Sequence, residues 1–365
     1  LSDAAFFFAQ DKKQTLEQHL GRLAKVVYQQ NLGSLLDKSE RIAALMPIIA
    51  PALKLDTDQM KHAALLCKAD LTCQMVNEFP ELQGIMGACY AQHEQQDEKI
   101  VSAIREHYQP QGASDEIPSS LSGAALAIAD KIDTLAGIFA IGKKPSGDKD
   151  PFALKRAMSG ILRIMIEKRL PLDLNTLFTS ALTLQAQEIN TGSVLLELLT
   201  FAWDRLDTLL REEQFPPGLL HCVTTINLSQ PYDMMLRLYA LKAFMDKVEA
   251  ASLASTHKRV NNLLTKTQGD KTQVNQDLLL EAQEIELAQL ITQQHAQVLQ
   301  LCLQQNYPDA LLVLAELKPA LDAFFDKVMV MCEDEALKQN RLALLRQLNA
   351  LFLLVADFSY LPVIL

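Results

Sequence analysis

The sequence predicts an all-α fold, and three observations support this prediction. Apolar residues recur every three or four positions in successive segments, which is the period of an amphipathic helix. Glycine and proline separate these segments and provide the breaks at which one helix ends and the next begins. The 365 residues are 49% hydrophobic and 21% charged. This composition is ordinary for a folded chain with a sizeable core, and the length predicts two or three domains.

Residues 1–169 are predicted to form the first domain. Gly33 and Pro80 mark two of the expected breaks between its helices. Apolar periodicity predicts a final pair of helices, of which the first is built from small apolar residues over 129–140. The earlier helices are expected over 15–30, 39–50, 62–78 and 94–108, followed by a loop over 110–122.

The second helix of that pair has recognisable signals at its start. Asp150 is expected to be its N-cap, and Pro151 suits the first helical position because its missing N–H would have no partner there. One face is apolar. Beside it lies a set of residues that we name the basic stripe: Lys155, Arg156, Ser159 and Arg163. Such a stripe is a candidate for contacting phosphates, although a solvated helix face is the commoner explanation of this pattern.

The remaining chain is predicted to contain a helical middle region, 170–232, and a helical bundle, 233–365. We find no chemistry-bearing pattern in the middle region. In the bundle, residues 255–266 form a predicted helix with Val260, Leu263 and Leu264 on its core side. Its polar face carries Lys258, Arg259, Asn262 and Lys266. Core anchors are expected further on, at Phe324, Phe325, Val328 and Met329.

Charge and cysteine content restrict the possible functions. A net charge of −10 argues against indiscriminate binding to nucleic acid, DNA included, but is compatible with recognition of one folded RNA by a local basic cluster. No apolar run approaches the roughly 18 residues of a membrane span, and we expect no signal peptide. The six cysteines show no CxxC pair, which suits a reducing cytoplasm and argues against a zinc ribbon.

Three blocks along the chain carry a specific resemblance. Residues 68–91, 129–157 and 324–345 resemble, in this order, the beta subunit of bacterial heterotetrameric glycyl-tRNA synthetase. That subunit is considerably longer on its N-terminal side, and this chain begins at Leu1 in what reads as mid-domain sequence. The resemblance therefore implies that the chain is the C-terminal portion of such a subunit.

The first domain also resembles the HD domain of metal-dependent phosphohydrolases. Residues 37–45, 62–71 and 126–135 are similar to the helices that carry the HD metal ligands. Of the ligand positions, only Asp130 is kept, whereas Lys38 replaces the first histidine and Cys67 and Lys68 replace the His-Asp doublet. HD chemistry needs imidazoles and carboxylates around a metal, so the resemblance implies the fold without the activity. The alternative, an HD-type phosphohydrolase with an accessory helical bundle, is disfavoured by these replacements.

The degenerate HD pocket is expected to hold no metal. Asp70 and Asp133 lie close in sequence to the same helical positions. A carboxylate that faces a pocket without a cation would be desolvated at a cost. We therefore expect Lys68, or Lys38 on the neighbouring helix, to pair with Asp130 in place of the metal.

The last domain resembles the anticodon-binding helical domain of arginyl-type synthetases. Residues 257–264, 307–330 and 340–348 carry this resemblance. It implies that the polar face of 255–266 contacts tRNA phosphates near the anticodon. The basic stripe of the first domain is a further candidate contact surface because of its charge pattern. The implied tRNA-binding residues are Lys258, Arg259, Asn262, Lys266, Lys155, Arg156 and Arg163.

These resemblances imply a non-catalytic role for the chain itself. It contains no Gly-rich phosphate loop, no class I synthetase signature and no evident class II ATP site. The implied function is to hold glycine tRNA while the alpha subunit, which would use ATP and Mg²⁺, activates glycine and transfers it. We therefore expect no catalytic residue, cofactor or metal in this chain. The implied partners are glycine tRNA and the alpha subunit of a cytoplasmic α2β2 enzyme, without DNA or membrane.

Overall fold

A computed structural model describes residues 2–145, 149–185, 190–267 and 272–362. Of these, residues 2 and 3 are described only by their backbone. The all-α prediction is confirmed, with one short antiparallel pair of strands among the described residues, β1 (Val27–Gln29) and β2 (Gly33–Ser34). The chain divides into two compact units: Leu1–Thr208 with Ser229–Tyr232, and Leu209–Leu228 with Asp233–Leu365. The division into 1–169, 170–232 and 233–365 stays a prediction.

The first unit is a helical domain with short connections. Its α-helices are α1 (Ser2–Asp11), α2 (Leu16–Leu20), α3 (Leu35–Ala52), α4 (Thr57–Leu66), α5 (Gln74–Glu78), α6 (Ile85–His93), α7 (Glu98–Glu106), α8 (Leu121–Ala140), α9 (Leu154–Glu167), α10 (Leu174–Thr183) and most of α11 (Thr191–Glu212). Short 3₁₀ helices cover Gly21–Lys25, Ala69–Thr72 and Pro80–Leu82.

Helix α8 is the centre of the first unit. The helices α3, α4, α7, α9 and α10 all pack against it. Its many alanines and glycines allow this close approach, because a larger side chain would push the neighbouring helices apart. At Gly123 an added Cβ would lie 2.7 Å from the Cβ of Glu106 on α7. The predicted apolar helix is thus confirmed, but it begins earlier than expected, because Ser120 accepts the amide of Gly123 at 2.9 Å and caps it.

Two other predicted helices are interrupted. The segment expected over 15–30 is helical only to Lys25 and then becomes strand β1, where Val26 and Val27 favour an extended backbone. The segment expected over 62–78 is broken after Leu66. There the hydroxyl of Thr72 donates to the carbonyl of Ala69 at 3.0 Å, a local bond that competes with helix continuation.

The second unit is a helical bundle. It contains the end of α11, α12 (His221–Thr224), nearly all of α13 (Pro231–Phe244), α14 (Val248–Thr265), α15 (Ala282–Leu303), α16 (Tyr307–Ala315), α17 (Lys318–Lys327) and α18 (Glu335–Leu353), with 3₁₀ turns at Gln276–Leu278 and Phe358–Tyr360. Helices α14, α15, α17 and α18 surround its core. None of the described helices in either unit is both long and apolar enough to cross a bilayer.

Candidate RNA-binding surfaces and a buried ion-pair cluster

Helix α14 presents the predicted polar residues on one exposed face. We name Lys258, Arg259, Asn262 and Lys266 the α14 basic face; all four are exposed, and Lys266 is the C-cap of the helix. Val260 is fully buried on the opposite side, as the pattern predicts. The bundle therefore leaves three cations and one amide of α14 available to a partner.

The buried side of α14 fixes the orientation of this face. His257 accepts the amide of Phe358 through Nδ1 at 3.0 Å and donates through Nε2 to the Oδ1 of Asn349 at 2.7 Å. Burial lowers the pKa of His257, so the ring is neutral and holds both neighbours by hydrogen bonds. The carboxylate of Asp357, 3.6 Å from Nδ1, is therefore not half of an ion pair.

A groove lies beside the α14 basic face. The guanidinium of Arg259 stands 4.0 Å from the centroid of the Phe325 ring. Together with Leu263 and the segment 326–331 they line a cavity of about 410 Å³. Met329 is 73% exposed and Met331 is 49% exposed. A guanidinium, an aromatic ring and mobile thioethers together offer a surface on which a flat aromatic group can stack.

The segment after α17 corrects one sequence prediction. Phe324 and Val328 are buried core anchors as expected, whereas Met329 is exposed. The helix ends at Lys327, and Val328 adopts an extended backbone with φ −104° and ψ 117°. Side chains then alternate between the two sides of the chain, so that Val330 is buried and Met331 is exposed. The sequence prediction assumed that the helix continues beyond Lys327 and therefore placed Met329 in the core.

A buried ion pair between Arg341 and Glu284 holds the backbone of the groove segment. Arg341 donates to the carbonyl of Met329 at 2.9 Å and pairs with the Oε1 of Glu284 at 2.5 Å. Glu284 has no exposed surface, and its other oxygen accepts the amides of Leu280 and Glu281 at 2.9 and 2.8 Å. These contacts tie the groove segment to the start of α15 and to α18. No sequence pattern indicates this pair, because its partners are 57 residues apart.

The basic stripe on α9 splits into two kinds of residue. Arg156 is exposed, whereas Arg163 donates to the backbone carbonyls of Ala113 and Asp115 at 2.8 and 3.0 Å and pairs with Glu167 at 2.9 Å. With Lys155 and Ser159 they line a small cavity of about 120 Å³ against Pro110, Gly112 and Ala113. Arg163 thus holds a loop, and its role as an RNA contact stays a prediction together with those of Lys155 and Arg156.

Asp150 caps α9, although it is not at the predicted N-cap position and lies four residues before the first helical residue. Its carboxylate accepts the amides of Leu154 and Lys155 at 2.8 and 2.9 Å. The helix begins at Leu154 because Ala153 takes a left-handed conformation with φ +54°. The prediction of a cap at Asp150 is confirmed in its effect, whereas the placement of Pro151 at the first helical position is wrong: Pro151 lies in the turn before the helix.

The degenerate HD pocket contains a cluster of buried ion pairs. Lys38 lies 2.8 Å from Asp130 and 3.2 Å from Asp133, and Lys68 lies 2.8 Å from the other oxygen of Asp130. Arg41 pairs with Asp133 at 2.6 Å. The contact between Lys68 and Asp130 that the sequence predicted is present. We name Lys38, Arg41, Lys68, Asp130 and Asp133 the ion-pair cluster.

Burial and charge act against each other in this cluster. Burial alone would raise the pKa of Asp130, but the ammonium groups of Lys38 and Lys68 outweigh it and hold that pKa well below its usual range. Burial likewise acts to lower the pKa values of Lys38 and Lys68, and the carboxylate of Asp130 outweighs it and raises both. Lys68 also faces the ring of Tyr108 at 3.8 Å. All three groups are therefore charged at neutral pH.

The residues of this pocket do not suit an HD-type metal. Two ammonium groups already occupy both oxygens of Asp130, and they would repel a divalent cation. Cys67 donates its thiol to the carbonyl of Ala64 at 3.1 Å, and burial raises its pKa to about 12. Asp70 turns away and accepts the amides of Gly84 and Gly87 at 2.6 and 2.9 Å, which fixes the start of α6.

Two protein-family models match the sequence of this chain. A family model described as glycyl-tRNA synthetase beta subunit matches residues 1–225, and one described as DALR anticodon binding domain matches residues 253–354, which include α14 and the groove.

Curated relatives cover the whole length of the chain. Glycine–tRNA ligase beta subunits of Pectobacterium carotovorum, Serratia proteamaculans and Escherichia coli are 45%, 44% and 43% identical to it over 362 residues. These matches include 99% of this chain and 52% of each relative, so the chain spans about half the length of the relatives. The match of one family model to well over half of its residues, together with these identities, shows that the chain belongs to the glycyl-tRNA synthetase beta subunit family.

Proposed function

We propose that this chain is the tRNA-binding part of a glycine–tRNA ligase beta subunit and that it positions glycine tRNA for aminoacylation by the alpha subunit. The observation that carries the proposal is the α14 basic face with its adjoining groove, which lies within the segment matched by the anticodon-binding model. On this account the chain contributes orientation and not a reacting group.

The proposed contacts follow from the chemistry of a tRNA anticodon arm. Lys258, Arg259 and Lys266 would bind backbone phosphates, and the amide of Asn262 would hydrogen-bond to the same strand. The groove would receive an unstacked loop base on the ring of Phe325, since single-stranded RNA is recognised mainly by stacking and by base edges. The total charge of −10 would confine RNA binding to local basic surfaces such as this one.

The partners belong to the same proposal. The relatives are named as beta subunits, which supports an alpha subunit as the partner of this chain. The proposed enzyme is a cytoplasmic α2β2 assembly. ATP and Mg²⁺ would act in that subunit. The exposed Arg156, with Lys155, would provide a second phosphate contact from the first unit, whereas Arg163 would act there through the loop that it holds.

Hydroxyl-radical footprinting of glycine tRNA on the full-length ligase tests this proposal. We expect protection of the anticodon arm by the wild-type enzyme. The pair Arg259→Ala and Phe325→Ala should abolish that protection and leave the footprint elsewhere on the tRNA unchanged. Lys99→Ala, at an exposed lysine of the first unit, serves as the control. An anticodon arm that is unprotected by the wild-type enzyme, or equally protected by the double variant, would contradict the proposed site.

A further inference from the structure

Three potential metal ligands converge in the first unit, away from the ion-pair cluster. Asp11 is the last residue of α1, His19 lies in α2, and Cys73 precedes α5. One ligand atom from each lies within 4.8 Å of the other two, and all three side chains are buried. The sequence did not predict this group, because its members are far apart in the chain and follow no metal-binding spacing.

The hydrogen bonds around His19 determine which ring nitrogen is available. The hydroxyl of Thr72 lies within donating distance of the carbonyls of Ala69 and His19, at 3.0 and 3.3 Å. With its proton on either carbonyl, its oxygen accepts from the Nδ1–H of a neutral His19 ring, 3.1 Å away. This tautomer leaves Nε2 with its lone pair.

That nitrogen has no hydrogen-bond partner although it is buried. The side chain of His19 is only 3% exposed, and Nε2 is among the buried polar atoms that no hydrogen bond satisfies in the described part of the chain. A buried polar atom without a hydrogen-bond partner is destabilising. An imidazole whose Nδ1–H is held by a hydroxyl while Nε2 is bare has the arrangement of a metal-ligating histidine.

The other two groups suit the same cation. The carboxylate of Asp11 is held by the amides of Gln74 and Met75, both at 2.9 Å, and by the hydroxyl of Tyr90 at 2.9 Å. Ligating carboxylates are characteristically fixed by such outer bonds. The thiol of Cys73 would bind the cation as a thiolate and release its proton on binding.

We propose that Asp11, His19 and Cys73 bind one divalent transition-metal cation of the zinc class. A nitrogen, an oxygen and a sulfur ligand form a donor set that suits zinc and not magnesium or calcium. One thiolate and one carboxylate neutralise the two positive charges, so the buried site carries no net charge. Tetrahedral bonds of about 2.0–2.3 Å place ligand atoms about 3.3–3.8 Å apart, which small side-chain rotations would achieve. The ion would join α1, α2 and the start of α5.

Metal analysis and cobalt substitution of the full-length protein test this site. Protein grown with zinc should contain about one zinc ion that is lost in Cys73→Ala and in His19→Gln. Replacement by Co²⁺ should give the near-ultraviolet charge-transfer band of a cobalt–thiolate bond. Cys67→Ala, at the other fully buried cysteine of this region, is the matched control and should keep both the zinc and the band.

A milder variant keeps the test decisive if a ligand substitution prevents folding. Thr72→Val removes the acceptor of Nδ1 and leaves all three ligands in place, so we expect the affinity for Co²⁺ to fall by about 10- to 100-fold. Wild-type protein that purifies without metal and shows no cobalt band would overturn the inference. A band that survives in Cys73→Ala, or an unchanged affinity in Thr72→Val, would do the same.

Discussion

Asp130 is shared by two buried lysines, and this sharing determines how the ion-pair cluster responds to substitution. Each lysine contacts one of its oxygens at 2.8 Å. Removal of Lys68 leaves Asp130 with Lys38. Removal of Asp130 leaves Lys38 with Asp133 but leaves Lys68 with only the ring of Tyr108. The loss of Asp130 is therefore more destabilising than the loss of Lys68, because a buried charge without a counter-ion is costly.

A double-mutant cycle measures this coupling. We expect Asp130→Ala to lower the free energy of unfolding by about 3–5 kcal/mol, because Lys68 loses its counter-ion, and Lys68→Ala to lower it by less, because Lys38 still pairs with Asp130. The double variant should cost less than the sum. Urea unfolding followed by Trp203, the single tryptophan of the sequence, reports on the first unit. Strict additivity of the two substitutions would show that the contact carries no coupling.

The pKa of Asp130 predicts an acid-sensitive contribution to stability. This pKa is held well below the unfolded value of about 3.9. The contribution is therefore complete above about pH 4 and is lost as the pH falls towards the folded pKa. The raised pKa values of Lys38 and Lys68 keep those groups charged throughout this range.

Asp130→Asn tests this pH dependence. Below about pH 4, the wild-type free energy of unfolding should fall with pH more steeply than that of Asp130→Asn, by up to about 1.4 kcal/mol per pH unit. Urea titrations at several pH values give both slopes. Parallel pH profiles for the two proteins would show that Asp130 does not titrate differently in the folded and unfolded states.

At the level of helices, the carboxylate of Asp150 satisfies two amides at the start of α9. We expect Asp150→Ala to destabilise the first unit by about 1 kcal/mol, the usual cost of a lost cap. Asp150→Asn keeps one acceptor oxygen and should recover part of this loss. Thermal unfolding of the three proteins measures the effect, and equal stability of Asp150→Ala and wild type would exclude a capping role.

Two arginines on α9 provide a matched comparison. Arg163 holds the carbonyls of Ala113 and Asp115, whereas Arg156 is exposed. We expect Arg163→Ala to cost about 1–2 kcal/mol of stability through the lost charged hydrogen bonds. Arg156→Ala should stay within about 0.5 kcal/mol of wild type and should weaken tRNA binding by the full-length enzyme. A large loss of stability in Arg156→Ala, with weaker tRNA binding only in Arg163→Ala, would contradict these two roles.

Much of the helical architecture could be predicted from the sequence, because amphipathic periods and breakers are local signals. Helix α8 and the capping effect of Asp150 were found in this way. The two wrong predictions, at the start of α9 and at Met329, also have local physical causes. Ala153 adopts a left-handed conformation that no residue pattern indicates, and Val328 begins an extended segment that exposes Met329. Periodicity describes an element but does not show where it ends.

Sites built from distant residues were predictable only in part. The contact of Lys68 with Asp130 was expected because a resemblance supplied the positions and charge required a counter-ion. The pair of Glu284 with Arg341 was missed, since long-range pairing leaves no periodic signature. The same reason explains why the groove beside Arg259 was not anticipated, although the α14 basic face itself follows directly from helical spacing.

For the whole molecule, the central claim is that the α14 basic face binds the phosphates of glycine tRNA. The most direct measurement is the salt dependence of tRNA binding by the full-length ligase. Each lost phosphate contact reduces the slope of log K against log salt by about 0.7–0.9. The variant Lys258→Ala, Arg259→Ala, Lys266→Ala should therefore bind more weakly, with a slope smaller by about 2–3. The matched variant Lys13→Ala, Lys25→Ala, Lys99→Ala, at three exposed lysines of the first unit, should behave like wild type. An unchanged affinity and slope in the first variant would contradict the account.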